Sequence, residues 1–153
     1  MRVGDALDYV RETASPDVVE TLDAVITAGF GVRLERGGKG ESFGNVLVEL
    51  ERPPVALRLT KDRGQWTMDI DPDGRGFQAL HVLLTAKTGD GPWLEERSLG
   101  DPIPKQWPPG VAWRTAVPAL LKWLSEADRT DSIRTAHEQW VRVMRQRYGP
   151  GVQ

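Results

Sequence analysis

Near the N-terminus, apolar residues recur every three or four positions, the spacing that gathers side chains on one side of a helix. Ala6, Leu7, Tyr9 and Val10 predict a short helix over residues 5–13. Ser15-Pro16-Asp17 then reads as a helix start. It supplies a cap residue, a proline suited to the first turn, and an acid at the positive end of the helix dipole. Val18, Val19, Leu22, Val25 and Ile26 continue at helical spacing as far as Gly29, predicting a helix over 16–28 that the glycine ends.

The period then changes from 3.6 to 2. Phe30, Val32 and Leu34 alternate with Gly31, Arg33 and Glu35; Val46, Val48 and Leu50 alternate with Leu47, Glu49 and Glu51. Val55, Leu57 and Leu59 alternate with Ala56, Arg58 and Thr60; Trp66, Met68 and Ile70 alternate with Thr67, Asp69 and Asp71. These runs predict four strands, each with one apolar and one polar face. The intervening Gly37-Gly38-Lys39-Gly40, Arg52-Pro53-Pro54 and Lys61-Asp62-Arg63-Gly64 are turn sequences. Connections this short join antiparallel neighbours, so the four form a meander whose apolar face needs covering by helices.

Helical spacing returns at 76–87, with Phe77, Leu80, Leu83 and Leu84. It recurs at 113–126, with Trp113, Val117, Leu120, Leu121 and Leu124, where Pro118 should sit in the first turn or kink the helix. A last helix is expected over 130–147, with Ile133, His137, Trp140, Met144 and Tyr148 as its apolar stripe. Between these lies 89–110, which holds five of the eleven prolines and fits no regular element. A loop of that length in a small domain is often functional. The expected fold is α+β: one domain spanning 1–153, a four-stranded antiparallel β-meander, and N-terminal and C-terminal helices packed on one face.

A chain of 153 residues buries enough surface to need no disulfide or metal staple. It contains no cysteine, which favours a reducing compartment. The first residues carry acids from Asp5 onward and no apolar core, so no signal peptide is expected. No apolar run approaches the ~20 residues that span a membrane, so no membrane partner is expected and the expected location is the cytoplasm. The net charge of −2 gives no general affinity for nucleic acid. Charge is nevertheless uneven, with two basic and six acidic residues in 1–30 against seven basic and four acidic in 111–153.

Catalytic chemistry finds little support. Nucleophilic catalysis wants an activated Ser, Cys or Lys beside a base, and the only imidazoles are His81 and His137, each expected as a core or boundary residue of a helix. Two histidines so far apart in sequence are a poor zinc set, and no cofactor is implied. Asp69, Asp71 and Asp73 resemble a calcium loop, but the position where such a loop needs a bidentate Glu is Leu80. The glycines at 37, 38 and 40 precede a strand, and so lack the helix N-terminus of a phosphate cradle. The enzyme question therefore stays open, leaning against.

Binding finds more. Six tryptophans are many for this length, and Trp is enriched at interfaces as well as in cores. In the 89–110 loop Trp93, Glu95, Glu96 and Trp107 are candidate partner contacts, unless both tryptophans fold back to seal the helices. Glu49 with Glu51, and Asp69 with Asp71, share the outward parity of their strands with Arg58, which makes a mixed-charge face suited to a basic partner. Two other classes remain as alternatives. One is a small-ligand or metal-binding protein, or an enzyme, with an acidic cleft at Asp69, Asp71 and Asp73. The other is a nucleic-acid-binding domain using Arg142, Arg145 and Arg147 beside Trp140 and Tyr148.

The stretch from Val55 to Ile70, with its turn Lys61-Asp62-Arg63-Gly64-Gln65 and the aromatic strand starting at Trp66, resembles a segment of bacterial immunity-type proteins of polymorphic-toxin systems. In those proteins a strand, an Arg-Asp-Arg-Gly-Gln-like turn and an aromatic strand form a hairpin followed by a helix; Lys61 stands here where Arg is expected. The resemblance covers under a fifth of the chain. It implies a non-enzymatic antitoxin whose partner is another protein, a toxin domain. It carries over no binding residues, because such families vary most at their interfaces.

Overall fold

The computed structural model describes residues 5–38, 44–89 and 112–149. Helices α1 (Asp5–Thr13) and α2 (Pro16–Thr27) lead into strands β1 (Gly31–Gly37), β2 (Val46–Arg52), β3 (Val55–Asp62), β4 (Gln65–Asp71) and the short β5 (Gln78–Ala79). Helices α3 (Leu80–Thr88), α4 (Trp113–Glu126) and α5 (Thr130–Tyr148) follow. The fold is α+β. Its antiparallel sheet has the order β1-β2-β3-β4-β5, so every neighbour in space is a neighbour in sequence.

The sheet has five strands where the pattern of residues predicts four. Residues 76–79 were expected to begin a helix, but Gln78 and Ala79 pair with Ile70 and Asp69 instead, and α3 starts at Leu80. Two paired residues leave no period to read, which is why β5 is invisible in the alternation.

The inner face of the sheet is the core. In register across β2, β3 and β4 lie Val48, Leu59 and Met68, then Leu50, Leu57 and Ile70, all at most 2 % exposed. These residues form one cluster with Val10 of α1, Val18, Leu22 and Val25 of α2, Leu80, Leu83 and Leu84 of α3, and Trp113, Val117, Leu120, Leu121 and Leu124 of α4. Helix α5 packs on α3, where the small, buried Ala136 permits close approach.

Local chemistry sets the boundaries. Ser15 occupies the cap position of α2 with extended backbone, although its hydroxyl makes no cap hydrogen bond, contrary to the expected side-chain cap. Gly29, at φ +98°, takes the left-handed conformation that closes α2. The β3–β4 hairpin turns on Arg63 and Gly64, both at positive φ, the two-residue geometry that matches strand twist. Pro118 lies inside α4, beyond its first turn.

β1 departs from simple alternation. Val32 pairs with Leu50, but Leu34 pairs with Glu49, because a bulge at Arg33 inserts one extra residue. The inward parity therefore passes from Val32 to Glu35, and Leu34 turns to the polar face against expectation. Glu35 uses its inward position: its Oε1 accepts a hydrogen bond from the Leu7 N–H at 3.0 Å. A carboxylate at the first turn of α1 meets an otherwise unsatisfied donor and the positive dipole end, worth about 1 kcal/mol.

Candidate functional site

The outer face of the sheet holds the charged residues that alternation sends away from the core. They stand in three registered rows. The first is Gly31, Glu51, Ala56 and Asp71; the second is Leu34, Glu49, Arg58, Asp69 and Ala79; the third is Arg36, Leu47, Thr60 and Thr67.

Arginines neutralise most of the acids. Arg33, the extra residue of the bulge, places Nε 2.9 Å from Glu49 Oε2 and Nη1 3.0 Å from Glu51 Oε2. Two glutamates two positions apart on a strand share a face, so one guanidinium can bridge both. These hydrogen bonds raise the pKa of Arg33. Arg58 pairs with Asp69 at 3.5 Å, and its guanidinium lies 4.1 Å from the centre of the Phe77 ring. Partial burial pushes the Asp69 carboxyl above its ordinary value, and the Arg58 charge opposes that push.

Glu49, Glu51, Arg58 and Asp69 are thus gathered on one face, as expected, but as internal pairs. The face offers no free acidic patch to a basic partner. Asp71, at the end of the first row, is not available there: the residue is only 7 % exposed, and its Oδ1 accepts N–H bonds from Asp73 at 3.2 Å and Gly74 at 2.8 Å, which fold the turn after β4. Trp93, Glu95, Glu96 and Trp107 lie outside the described residues.

Residues that the sequence pattern did not single out complete the face. Leu34, Leu47 and Phe77 are half-buried there, and Arg36 is exposed. Only the bulge reveals Leu34 as outward, and a bulge leaves no mark in the alternation. Around the third row the surface dips into a depression of about 410 Å³, lined by Arg36, Lys61 and Asp62 with Gly37, Asn45, Val46, Leu47 and Thr60.

No family model, no curated protein and no solved structure matches the chain. Its functional reading therefore rests on its own geometry.

The acidic cleft expected at Asp69, Asp71 and Asp73 does not form. Asp69 faces Arg58, Asp71 holds its own turn, and Asp73 accepts the Arg75 N–H at 3.0 Å. Among the described residues no group of three or more histidine and carboxylate side chains is placed to hold a metal ion. The cleft that Asp73 does line, about 190 Å³, sets Asp73 and Asp128 against Arg75 and Arg129, so it is charge-balanced.

Of the two histidines expected at core or boundary positions, His81 is buried and His137 is exposed. His137, placed in the stripe of α5, is exposed beside Trp140 at 5.5 Å between ring centres. His81 is 3 % exposed, because every residue of α3 from Leu80 to Thr85 is buried between the sheet and α5. A helix covered on both sides has no polar face to which its histidine could turn. Among the described residues neither ring nitrogen of His81 has a hydrogen-bond partner, nor has Trp140 Nε1, whose ring centre is 6.1 Å away. Burial lowers the His81 pKa to about 4, so the ring is neutral. Trp140 packs toward His81 rather than standing out as a stacking platform for bases. Among the described residues, no helix is long and apolar enough to cross a membrane.

Proposed function

We propose that the protein is a non-enzymatic protein-binding module that docks a partner on the outer face of its sheet, and that it acts as a bacterial immunity protein neutralising a cognate toxin in the cytoplasm. The observation that carries the docking reading is the outer face itself, where half-buried Leu34, Leu47 and Phe77 lie among guanidiniums already held by Glu49, Glu51 and Asp69. Arginine and apolar side chains on one surface have the make-up of an interface core. Holding the charged groups in place before binding reduces the ordering cost of association. The immunity form is supported by the β3–β4 hairpin: its strand, Arg63-Gly64 turn and aromatic strand, followed by α3, have the arrangement that the resemblance describes.

The test is capture from a lysate of the source organism, by the unaltered chain and by a variant carrying Leu34→Lys and Thr67→Arg. Both substitutions lie on the outer face and leave the core untouched. The expected result is one stoichiometric protein with a toxin-like domain, held by the unaltered chain and lost by the variant at equal thermal stability. A protein held equally by both, or none above a blank resin, contradicts the proposal.

A further inference from the structure

The third row of the outer face differs from the second in its charge. Arg33 and Arg58 each have a carboxylate partner, whereas Arg36 has none among the described residues. Among the described residues Asp62 is the one carboxylate lining the same depression, but it stands two strands away and two positions further along β3, a separation of about 10 Å or more. It cannot neutralise Arg36 at contact distance. Between them the floor is apolar and flat, made by Leu47 with Thr60 directly beside it on β3. One wall is held in place, because Asn45 Oδ1 accepts the Arg63 N–H at 2.9 Å and so ties the start of β2 to the β3–β4 turn. A depression of about 410 Å³ has the size of a small binding pocket. It therefore combines an apolar floor, a braced wall and two cations against the one carboxylate of Asp62: Arg36 at the rim, with no ion-pair partner among the described residues, and Lys61, whose Nζ lies 3.3 Å from the Tyr9 hydroxyl.

We propose that this depression is the anchor pocket of the docking face, and that it takes a large apolar side chain of the partner whose neighbouring carboxylate pairs with Arg36. The inference rests on the reading of the outer face as a docking surface and adds the chemistry of what docks. Interfaces concentrate their energy in such central apolar pockets, and a flanking ion pair sets register and selects the partner. Because the acids of the second row are already paired, charge complementarity here calls for an acidic partner segment.

The experiment uses the full chain and a displayed library of random linear peptides. Selection runs in parallel on the unaltered protein and on Arg36→Glu, with Arg36→Gln as the conservative variant. Arg36 is exposed and without an ion-pair partner among the described residues, so all three should unfold at the same temperature. The unaltered protein should enrich peptides with Leu, Phe, Met or Trp next to Asp or Glu. Arg36→Glu should replace those acids with Lys or Arg and weaken the leading acidic peptide by about tenfold or more, with Arg36→Gln in between. Backbone amide shifts from the bound peptide should centre on Arg36, Leu47 and Thr60.

Peptides without an acidic preference, or equal binding to Arg36→Glu, overturn the pocket. If those peptides shift the amides of Glu49, Arg58 and Asp69 instead, the docking face stands while the pocket falls. If no peptide is enriched, or if shifts avoid the sheet altogether, both fall.

Discussion

Acidification from about pH 7 to about pH 4 should cost the fold about 3 kcal/mol through His81 alone. In the folded protein the imidazole titrates at about 4, below its ordinary 6.5, because it is buried, and among the described residues neither nitrogen has a partner. In the unfolded chain it titrates near 6.5. Between those values the unfolded state binds a proton that the fold refuses. Its contribution to stability is therefore complete above about pH 6.5 and is lost as the pH falls toward about 4. Urea unfolding of the unaltered chain and of His81→Leu, each near pH 7 and near pH 4, isolates the effect, since the carboxylates titrate alike in both. The variant should lose about 3 kcal/mol less on acidification. It should be no less stable at neutral pH, because leucine fills similar space and removes two buried polar atoms without partners. Equal losses in both proteins would show that the ring is protonated inside the fold.

Leu57→Ala should be costly, at about 2–5 kcal/mol. Leu57 is 1 % exposed and stands in the inner row between Leu50 and Ile70, where strand pairing on both sides prevents the backbone from closing the cavity. Leu47→Ala, on the neighbouring strand but on the outer face, should cost under about 1 kcal/mol, because its side chain is half-buried already. The pair is measured by the same urea titrations. Similar losses would mean that the outer face is packed against other parts of the protein, and would remove the surface on which docking depends.

Much of this architecture is legible in the residues because one periodicity dominates each segment. The apolar spacing from Val18 to Ile26 and from Trp113 to Leu124 marks α2 and α4, and the alternation from Val46 to Ile70 marks three strands with their faces. What escapes is what periodicity does not encode. The bulge at Arg33 reverses the facing of Leu34 and Glu35 with no change in composition, so β1 reads as a regular strand. In the stripe of α5, Ile133, Trp140 and Met144 are half-buried while His137 faces solvent, and Ala136, too small to stand out in the pattern, is the buried contact with α3. Through the same contact His81, one position off an apolar stripe, is as buried as the stripe itself. On the candidate site, alternation sufficed to place Glu49, Glu51, Arg58 and Asp69 together. It could not show that Arg33 and Arg58 neutralise them, because that depends on cross-strand register. Nor could it show that Asp71 is taken up by its own turn.

The central claim, that a partner docks on the outer face, is tested most directly by cysteine footprinting, for which a chain without native cysteine is well suited. Thr60→Cys and Thr67→Cys place a thiol on the outer face, and Arg142→Cys places one on the exposed side of α5. Each variant is treated with a maleimide, free and in complex with the captured partner. The account predicts that the complex protects positions 60 and 67 by about tenfold or more and leaves position 142 as reactive as in the free protein. Protection at 142 with full reactivity at 60 and 67 would contradict it and place the interface on the helices.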